Sequence, residues 1–237
     1  MTWRVPPYDR AVDEAEAFLR AGWKLHGIVV AGSIVRGEAG PASDLDVFAV
    51  HAEPWRVRVQ KHFAGVPAEL FVNPPDRIRR YFASEHEQAR PCTAHMFATG
   101  EVLSGADTVV EELVREAREW LAKPVEVTLA ELAGKRYAAV DTLDDARDMM
   151  GVDAAAAALL LTAAVQQVAE FAFWQRAAFQ PRRKDLVRAL AAIDPVAADL
   201  VRSFTAAQGD AAQRLAGELA RHVLGVDTFF EWTSDRS

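Results

Sequence analysis

The chain has 237 residues, of which 51% are hydrophobic and 26% are charged, and its formal net charge is −7. This length and composition are typical of a globular protein with one large core or two modest ones. The acidic balance argues against a nucleic-acid partner, because neutralising phosphates requires clustered Lys and Arg. The single cysteine, Cys92, excludes an intramolecular disulfide.

The sequence gives no indication of a membrane partner. The first ten residues, MTWRVPPYDR, contain no apolar signal segment. The longest apolar run, at 154–165, is too short to span a bilayer, so we interpret it as a buried core helix. We therefore expect a cytoplasmic protein.

The first half of the chain alternates between strand and helix patterns. It begins with an amphipathic helix at 9–21 and a short apolar strand at 27–33. Further predicted elements are strands at 46–50, 68–73 and 101–104, a helix at 76–85 with Asp76 as its N-cap, and an amphipathic helix at 107–122.

The second half changes character after Pro124. From about residue 126 it is rich in Ala and Leu and reads as helical throughout, with breaks near Gly151, Pro181, Pro195 and Gly209. We therefore predict an α+β protein: a mixed-sheet domain with flanking helices at 1–124, followed by an all-α helical bundle at 125–237.

A Gly-Ser pair ends the first predicted strand. If a helix starts at Gly32-Ser33, its unpaired backbone N–H groups and the Ser33 hydroxyl form a site for an anion. Arg36 follows three residues later, one helical turn on, where its guanidinium would reach a bound phosphate.

Two aspartates precede the second apolar strand. Asp44 and Asp46 are two residues apart, so in a strand they point the same way. Two adjacent carboxylates repel unless a cation lies between them or one is protonated. Magnesium commonly uses one or two carboxylates together with substrate phosphates, which predicts a combined site for Mg²⁺ and a triphosphate.

The spacing of Gly32 and Gly37 also raises the alternative of a Walker A loop. That motif requires a lysine and then Ser or Thr, where this chain has Glu38 and Ala39. A negative charge at that position would repel phosphate, so we reject this interpretation.

The segment GSIVRGEAGPASDLDVFAV carries the pattern G-S-x(10)-D-x-D. It resembles the DNA polymerase β-like nucleotidyltransferases, in particular the minimal nucleotidyltransferases and the aminoglycoside and lincosamide adenylyltransferases. The resemblance covers the first domain, and the helical domain resembles the second domain of the antibiotic-modifying enzymes more loosely. It implies catalytic, metal-binding roles for Asp44 and Asp46 and nucleotide-binding roles for Gly32 and Ser33, beside which the spacing of Arg36 predicts a phosphate contact.

The resemblance also implies a third carboxylate on a later strand. Glu69 matches it, as a metal ligand, a general base for the acceptor hydroxyl, or both; a glutamate leans towards the base role. In the helical half, Arg182, Arg183 and Lys184 cluster at a predicted helix start, where cations are unfavourable without a nearby anion. The resemblance implies that Lys184 contacts the nucleotide phosphates.

The implied function is transfer of a nucleoside monophosphate, AMP from ATP with Mg²⁺, to a hydroxyl of a small-molecule acceptor such as an antibiotic, with release of pyrophosphate. Alternatives are an antitoxin or protein AMPylator of the minimal nucleotidyltransferase type and a non-catalytic nucleotide sensor. The acidic helix face at 141–148 is interpreted as solvated, with a wall for a cationic acceptor as the alternative. The histidines show no zinc-ligand spacing, and the oligomeric state is left open.

Overall fold

A computed structural model describes residues 3–233 of the chain. The chain packs as two compact units, residues 1–123 and residues 124–237. Each unit has its own hydrophobic core.

The first unit is built on a five-stranded mixed sheet. Its strands are β1 (Leu25–Ala31), β2 (Leu45–His51), β3 (Val57–Phe63), β4 (Val66–Asn73) and β5 (Glu101–Val102). The spatial order is β3-β4-β2-β1-β5, and β2 and β4 are parallel while the other neighbours are antiparallel. The mixed sheet with flanking helices confirms the predicted fold class.

Helices cover both faces of this sheet. They are α1 (Tyr8–Gly22), the four-residue α2 (Gly32–Val35), α3 (Pro75–Glu87), α4 (Cys92–Thr99) and α5 (Thr108–Ala122). The buried side of α1 packs on one sheet face, and α3, α4 and α5 pack on the other. Alternation along β2 sends Val47 and Ala49 to the α1 face and Phe48 and Val50 to the α3–α5 face.

Strands β3 and β4 form a tight hairpin. Its two-residue turn, Ala64 and Gly65, has positive φ at both positions (46° and 81°), which matches the right-handed twist of the paired strands. The Ala64 N–H donates to the Glu14 carboxylate of α1 at 2.6 Å, so the turn is held against that helix.

The second unit is all-helical within its described part. Its helices are α6 (Leu129–Met149), α7 (Ala154–Trp174), a 3₁₀ helix (Arg183–Asp185), α8 (Leu186–Ile193), α9 (Pro195–Ala206) and α10 (Gly209–Leu224). They share one core of Ala, Leu, Val and Phe side chains. The breaks fall at the predicted glycines and prolines, so the helical interpretation of this half is confirmed.

Helix α7 contains the apolar run noted in the sequence and extends it to 21 residues. Among the described residues, it is the helix that is long and apolar enough to cross a membrane. Half of its most apolar stretch is buried in the protein, as in a core helix of a soluble domain, so its apolarity is weak evidence for a membrane span.

The structure contains two elements that the sequence analysis missed, and it corrects one predicted helix cap. β3 and α4 were not predicted, although β3 carries the alternation of Val57 and Val59 with polar residues. Asp76 is not an N-cap: Pro74 occupies that position and Asp76 lies in the first turn of α3.

Candidate active site

Three carboxylates meet at one end of the sheet. Asp46 is the second residue of β2, Glu69 lies opposite it on the parallel strand β4, and Asp44 directly precedes β2. Register partners on neighbouring strands point to the same face, which brings Asp46 and Glu69 together. One carboxylate oxygen from each of the three residues lies within 4.8 Å of the others.

The cluster is electrostatically unfavourable without a cation. Burial, followed by the negative charges of Asp44 and Glu69, raises the pKa of Asp46 to about 6, and the nearby Arg36 and Arg58 offset only part of this rise. A carboxylate with a raised pKa inside a converging group is the environment that a divalent cation would relieve.

Gly32 stands directly against Asp46. Its φ is +90°, and a Cβ at this position would collide with an Asp46 carboxylate oxygen. Only glycine satisfies both the backbone conformation and this close approach. The turn after β1 and the carboxylate of β2 therefore constrain each other, in addition to any role of Gly32 towards a phosphate.

Ser33 links the turn to the loop that carries Asp44. The Ser33 side chain is buried, and its hydroxyl donates to the Ser43 hydroxyl at 2.9 Å, which also accepts from the Gly40 N–H at 2.8 Å. These bonds connect the residue after Gly32 with the residue before Asp44.

The helix that was expected to follow Ser33 is a single turn. Arg36 is its C-cap rather than a residue on a continuing helix face, and its Nε donates to Glu38 at 3.0 Å. Arg36 nevertheless lies close enough to Asp46 to offset part of the rise in the Asp46 pKa. The positive charge of Arg36 therefore belongs to the same site.

Glu69 has partners that the sequence did not reveal. Its Oε1 accepts hydrogen bonds from Arg58 and from the Gln60 amide, with 2.7 Å to Arg58 Nε and 2.7 Å to Gln60 Nε2. Both partners lie on β3, and Gln60 is the register partner of Glu69. Recognising the Val57–Val59 alternation would have placed Arg58 and Gln60 beside β4.

Lys184 lies in the 3₁₀ helix of the second unit and is exposed. The nearby anion that this basic cluster was expected to need is supplied locally, because Asp185 pairs with Arg182 at 2.5 Å and with Arg188 at 2.7 Å. A nucleotide contact by Lys184 stays a prediction.

The acidic face of α6 is partly engaged in ion pairs. Asp144 accepts from Arg147 at 2.6 Å, and Arg147 also binds Asp227. Asp141, Asp145 and Asp148 are exposed, as expected for a solvated face.

His51, which follows the second predicted strand, does not join the site. It lies at the far end of β2, five residues from Asp46 and roughly 16 Å along the strand. Its Nε2 donates to the Trp55 carbonyl at 2.9 Å, which fits a buried structural histidine.

Comparison with known proteins identifies the first unit. A family model described as "Nucleotidyltransferase domain" matches residues 12–129, a range that contains all three carboxylates and the Gly32-Ser33 turn. No curated protein matches the sequence.

A solved structure is similar over most of the chain. It is a nucleotidyltransferase-like protein from Exiguobacterium sibiricum 255-15, with a TM-score of 0.53, 11% identity, and coverage of 92% of this chain and 74% of that chain. At this identity the likeness concerns the fold. The family match shows that residues 12–129 form a nucleotidyltransferase domain of the DNA polymerase β-like superfamily.

Proposed function

We propose that the protein transfers a nucleoside monophosphate, AMP from ATP, to a hydroxyl of a small-molecule acceptor and releases pyrophosphate. The observation that supports this most strongly is the convergence of Asp44, Asp46 and Glu69 within a nucleotidyltransferase domain. The net charge of −7 favours a small acceptor over a polynucleotide.

The donor chemistry of the site fits a divalent cation. Three carboxylates supply hard oxygen ligands, and burial together with the charges of Asp44 and Glu69 raises the pKa of Asp46, which a bound cation would counteract. Asp44 and Asp46 would hold Mg²⁺, with Glu69 as a third ligand if it is not the general base; the bound ion would neutralise charge on the phosphates and acidify the attacking hydroxyl.

The reaction balances as a single displacement. The acceptor oxygen forms a bond to the α-phosphorus, the bond from that phosphorus to the bridging oxygen of the β-phosphate breaks, and pyrophosphate leaves. The hydroxyl proton passes to Glu69 if this residue is the general base. In the described part of the chain the hydrogen bonds to Glu69 end on Oε1, which leaves Oε2 to accept that proton.

The turn after β1 is the proposed binding site of the triphosphate. Gly32 permits a close approach of the backbone, while Ser33, Arg36 and Lys184 are the proposed polar and cationic contacts to phosphate. Because the Ser33 hydroxyl already donates to Ser43, we assign it chiefly to shaping the turn. We further propose that residues 125–237 contribute to acceptor binding and that the enzyme is cytoplasmic.

The experiment replaces the two aspartates separately, as Asp44→Asn and Asp46→Asn. Each variant should lose nucleotidyl transfer, measured as Mg²⁺-dependent transfer of label from ATP to a panel of hydroxylated compounds, because each removes a cation ligand. Asp76→Asn, an exposed aspartate of α3, is the control and should retain transfer. Wild-type turnover in either site variant would overturn the assignment.

A further inference from the structure

The first unit contains a cavity of about 300 Å³ on the sheet face that bears the carboxylates. Its floor includes Phe48 of β2 and Phe71 of β4, whose rings stack at 4.6 Å between centroids and 16° between planes. Helices α3 and α4 supply the opposite wall, with Tyr81, Cys92 and Met96 among its residues. The volume is at the small end of the range for ligand sites.

The cavity lies beside the carboxylates. Phe48 and Phe71 follow Asp46 and Glu69 by two residues on the same strands, so they share a face and lie roughly 7 Å further along. Arg58 contacts both the cavity floor and the carboxylate cluster, because its guanidinium lies 5.0 Å from the Phe71 ring centroid and donates to Glu69. The carboxylates are not part of the cavity lining, so a compact molecule on this floor would have Arg58 between its near end and Glu69.

The cavity also lies on the appropriate side for attack. In the sheet order, the Gly32 turn is on the β1 side of Asp46, whereas Glu69 and Arg58 are on the β4 and β3 side. A displacement at phosphorus requires the attacking and leaving oxygens to be opposite each other. If the phosphates leave towards Gly32, the acceptor must enter from the side of Glu69.

Two guanidinium groups and one carboxylate supply the charges in the cavity lining. At one wall, Arg56 donates a hydrogen bond to the Tyr81 hydroxyl at 2.8 Å. Arg58 lines the same cavity. The carboxylate in the lining, Glu85, already accepts from Thr93 through both oxygens, at 2.6 Å from the backbone N and 2.7 Å from Oγ1. Aromatic rings, guanidinium groups and a satisfied carboxylate favour a flat apolar ligand over a polycation.

We propose that this cavity binds the acceptor of the transfer reaction, and that the acceptor is a compact hydroxylated molecule with a flat apolar body and no positive charge. The inference rests on the proposed function. It narrows the class of acceptor, because it disfavours polycationic aminosugars.

Cys92 provides a direct measurement of occupancy. It is the single cysteine of the chain, it is exposed, and it lines the cavity. Desolvation of the sulfur atom by the protein groups around it, followed by the charge of Glu85, raises the pKa of the thiol, so alkylation by iodoacetamide is best followed by intact mass above about pH 8.5.

The probes are 6-hydroxy-2-naphthoate and 2-naphthalenemethanol, compared with kanamycin and with Mg²⁺–ATP. At about ten times its Kd, a naphthyl probe should slow alkylation about tenfold, because the unoccupied fraction falls by that factor. Kanamycin and Mg²⁺–ATP should leave the rate unchanged. Protection by kanamycin would overturn the acceptor class, and protection by Mg²⁺–ATP alone would assign the cavity to the nucleotide.

A cavity-filling variant gives an independent test. Cys92→Phe should weaken binding of the fluorescent 6-hydroxy-2-naphthoate at least about tenfold, measured by anisotropy, since its ring would occupy the ligand's space. The matched control is His95→Phe, which adds the same ring at an exposed position of α4 outside the cavity lining. Thermal unfolding confirms that both variants fold.

The outcomes separate this proposal from the proposed function. If wild type binds Mg²⁺–ATP but neither naphthyl compound protects Cys92, the cavity assignment fails and nucleotidyl transfer stands. If Mg²⁺–ATP does not bind while the naphthyl compounds protect, nucleotidyl transfer fails and the cavity has another role. Equal probe affinity in Cys92→Phe and wild type would also refute the assignment.

Discussion

The two units use charged and constrained residues in opposite ways. In the first unit, unfavourable features gather at one end of the sheet: three converging carboxylates, a raised pKa at Asp46 and a left-handed Gly32. In the second unit, Thr128, Asp153 and Asp194 hydrogen-bond the first turns of their helices. The difference indicates that the carboxylate end of the first unit is electrostatically unfavourable, whereas the capping polar groups of the second unit stabilise helix ends.

The largest effect is expected at Glu69. If Glu69 is chiefly a general base, Glu69→Gln should lower turnover by about 10²- to 10⁴-fold while Mg²⁺–ATP binding stays near wild type, because the amide keeps the size but cannot accept the proton. Single-turnover kinetics and calorimetric titration measure the two quantities separately.

Gln60→Glu is not a suitable control for this experiment, since it adds charge beside Glu69; Asp76→Asn serves instead. Joint loss of Mg²⁺–ATP affinity and turnover would identify Glu69 as a metal ligand. Unchanged turnover would remove it from the catalytic site.

The second prediction concerns the helical core. Leu219 of α10 is fully buried, so Leu219→Ala should lower the free energy of unfolding of the protein by about 2–5 kcal/mol through lost burial and a residual cavity. Urea denaturation measures the change. Leu159→Ala, at a 74% exposed position of α7, is the matched control and should cost less than about 0.5 kcal/mol.

The third prediction tests whether the first unit is destabilised by its own site. The folded pKa of Asp46, about 6, exceeds its ordinary value of 3.8. The protonated Asp46 carboxyl therefore contributes fully to the stability of the folded state below pH 3.8, and this contribution is lost as the pH rises through 6. Without metal, Asp46→Asn should therefore be as stable as wild type or more stable at pH 7.5, by on the order of 1–2 kcal/mol.

The measurement is chemical denaturation in EDTA at acidic and neutral pH, analysed as the difference between variant and wild type. The difference should shrink as the pH falls below the folded pKa, and Mg²⁺ should stabilise wild type more than the variant. A variant that is less stable than wild type at pH 7.5 would contradict the electrostatic account.

The smallest effect is expected at a helix end of the second unit. The Asp153 carboxylate accepts from the N–H groups of Ala155 and Ala156 at 2.9 and 3.0 Å. Asp153→Ala should lower the free energy of unfolding by about 1 kcal/mol because the first turn of α7 loses this cap. Asp199→Ala, an exposed mid-helix change in α9, is the control in the same denaturation assay.

The sequence was informative wherever the determinants are local. Gly32, Ser33, Asp44 and Asp46 lie within fifteen residues, and their spacing predicted both the turn and the paired carboxylates. Glu69 followed from the resemblance to the nucleotidyltransferases, as the acid that matches their third carboxylate. The helical half followed from its composition and its Gly and Pro breaks.

Features that depend on pairing across the sheet were missed. Arg58 and Gln60 reach Glu69 only because β3 lies beside β4, and β3 is largely exposed and therefore lacks a strong apolar pattern. The cavity depends on how α3 and α4 cover Phe48 and Phe71, which no local pattern specifies. Side-chain neighbours from different elements require the folded arrangement.

The length of the Ala64–Gly65 turn sets the strand register beside the carboxylate site. A two-residue hairpin fixes which β3 residue faces each β4 residue, and here it sets Gln60 opposite Glu69. Shifting this pairing by one residue would turn the side chains of β3 to the other face of the sheet and separate Arg58 from Glu69. The charge balance beside Glu69 is thus encoded partly in the number of residues in a turn that never contacts it.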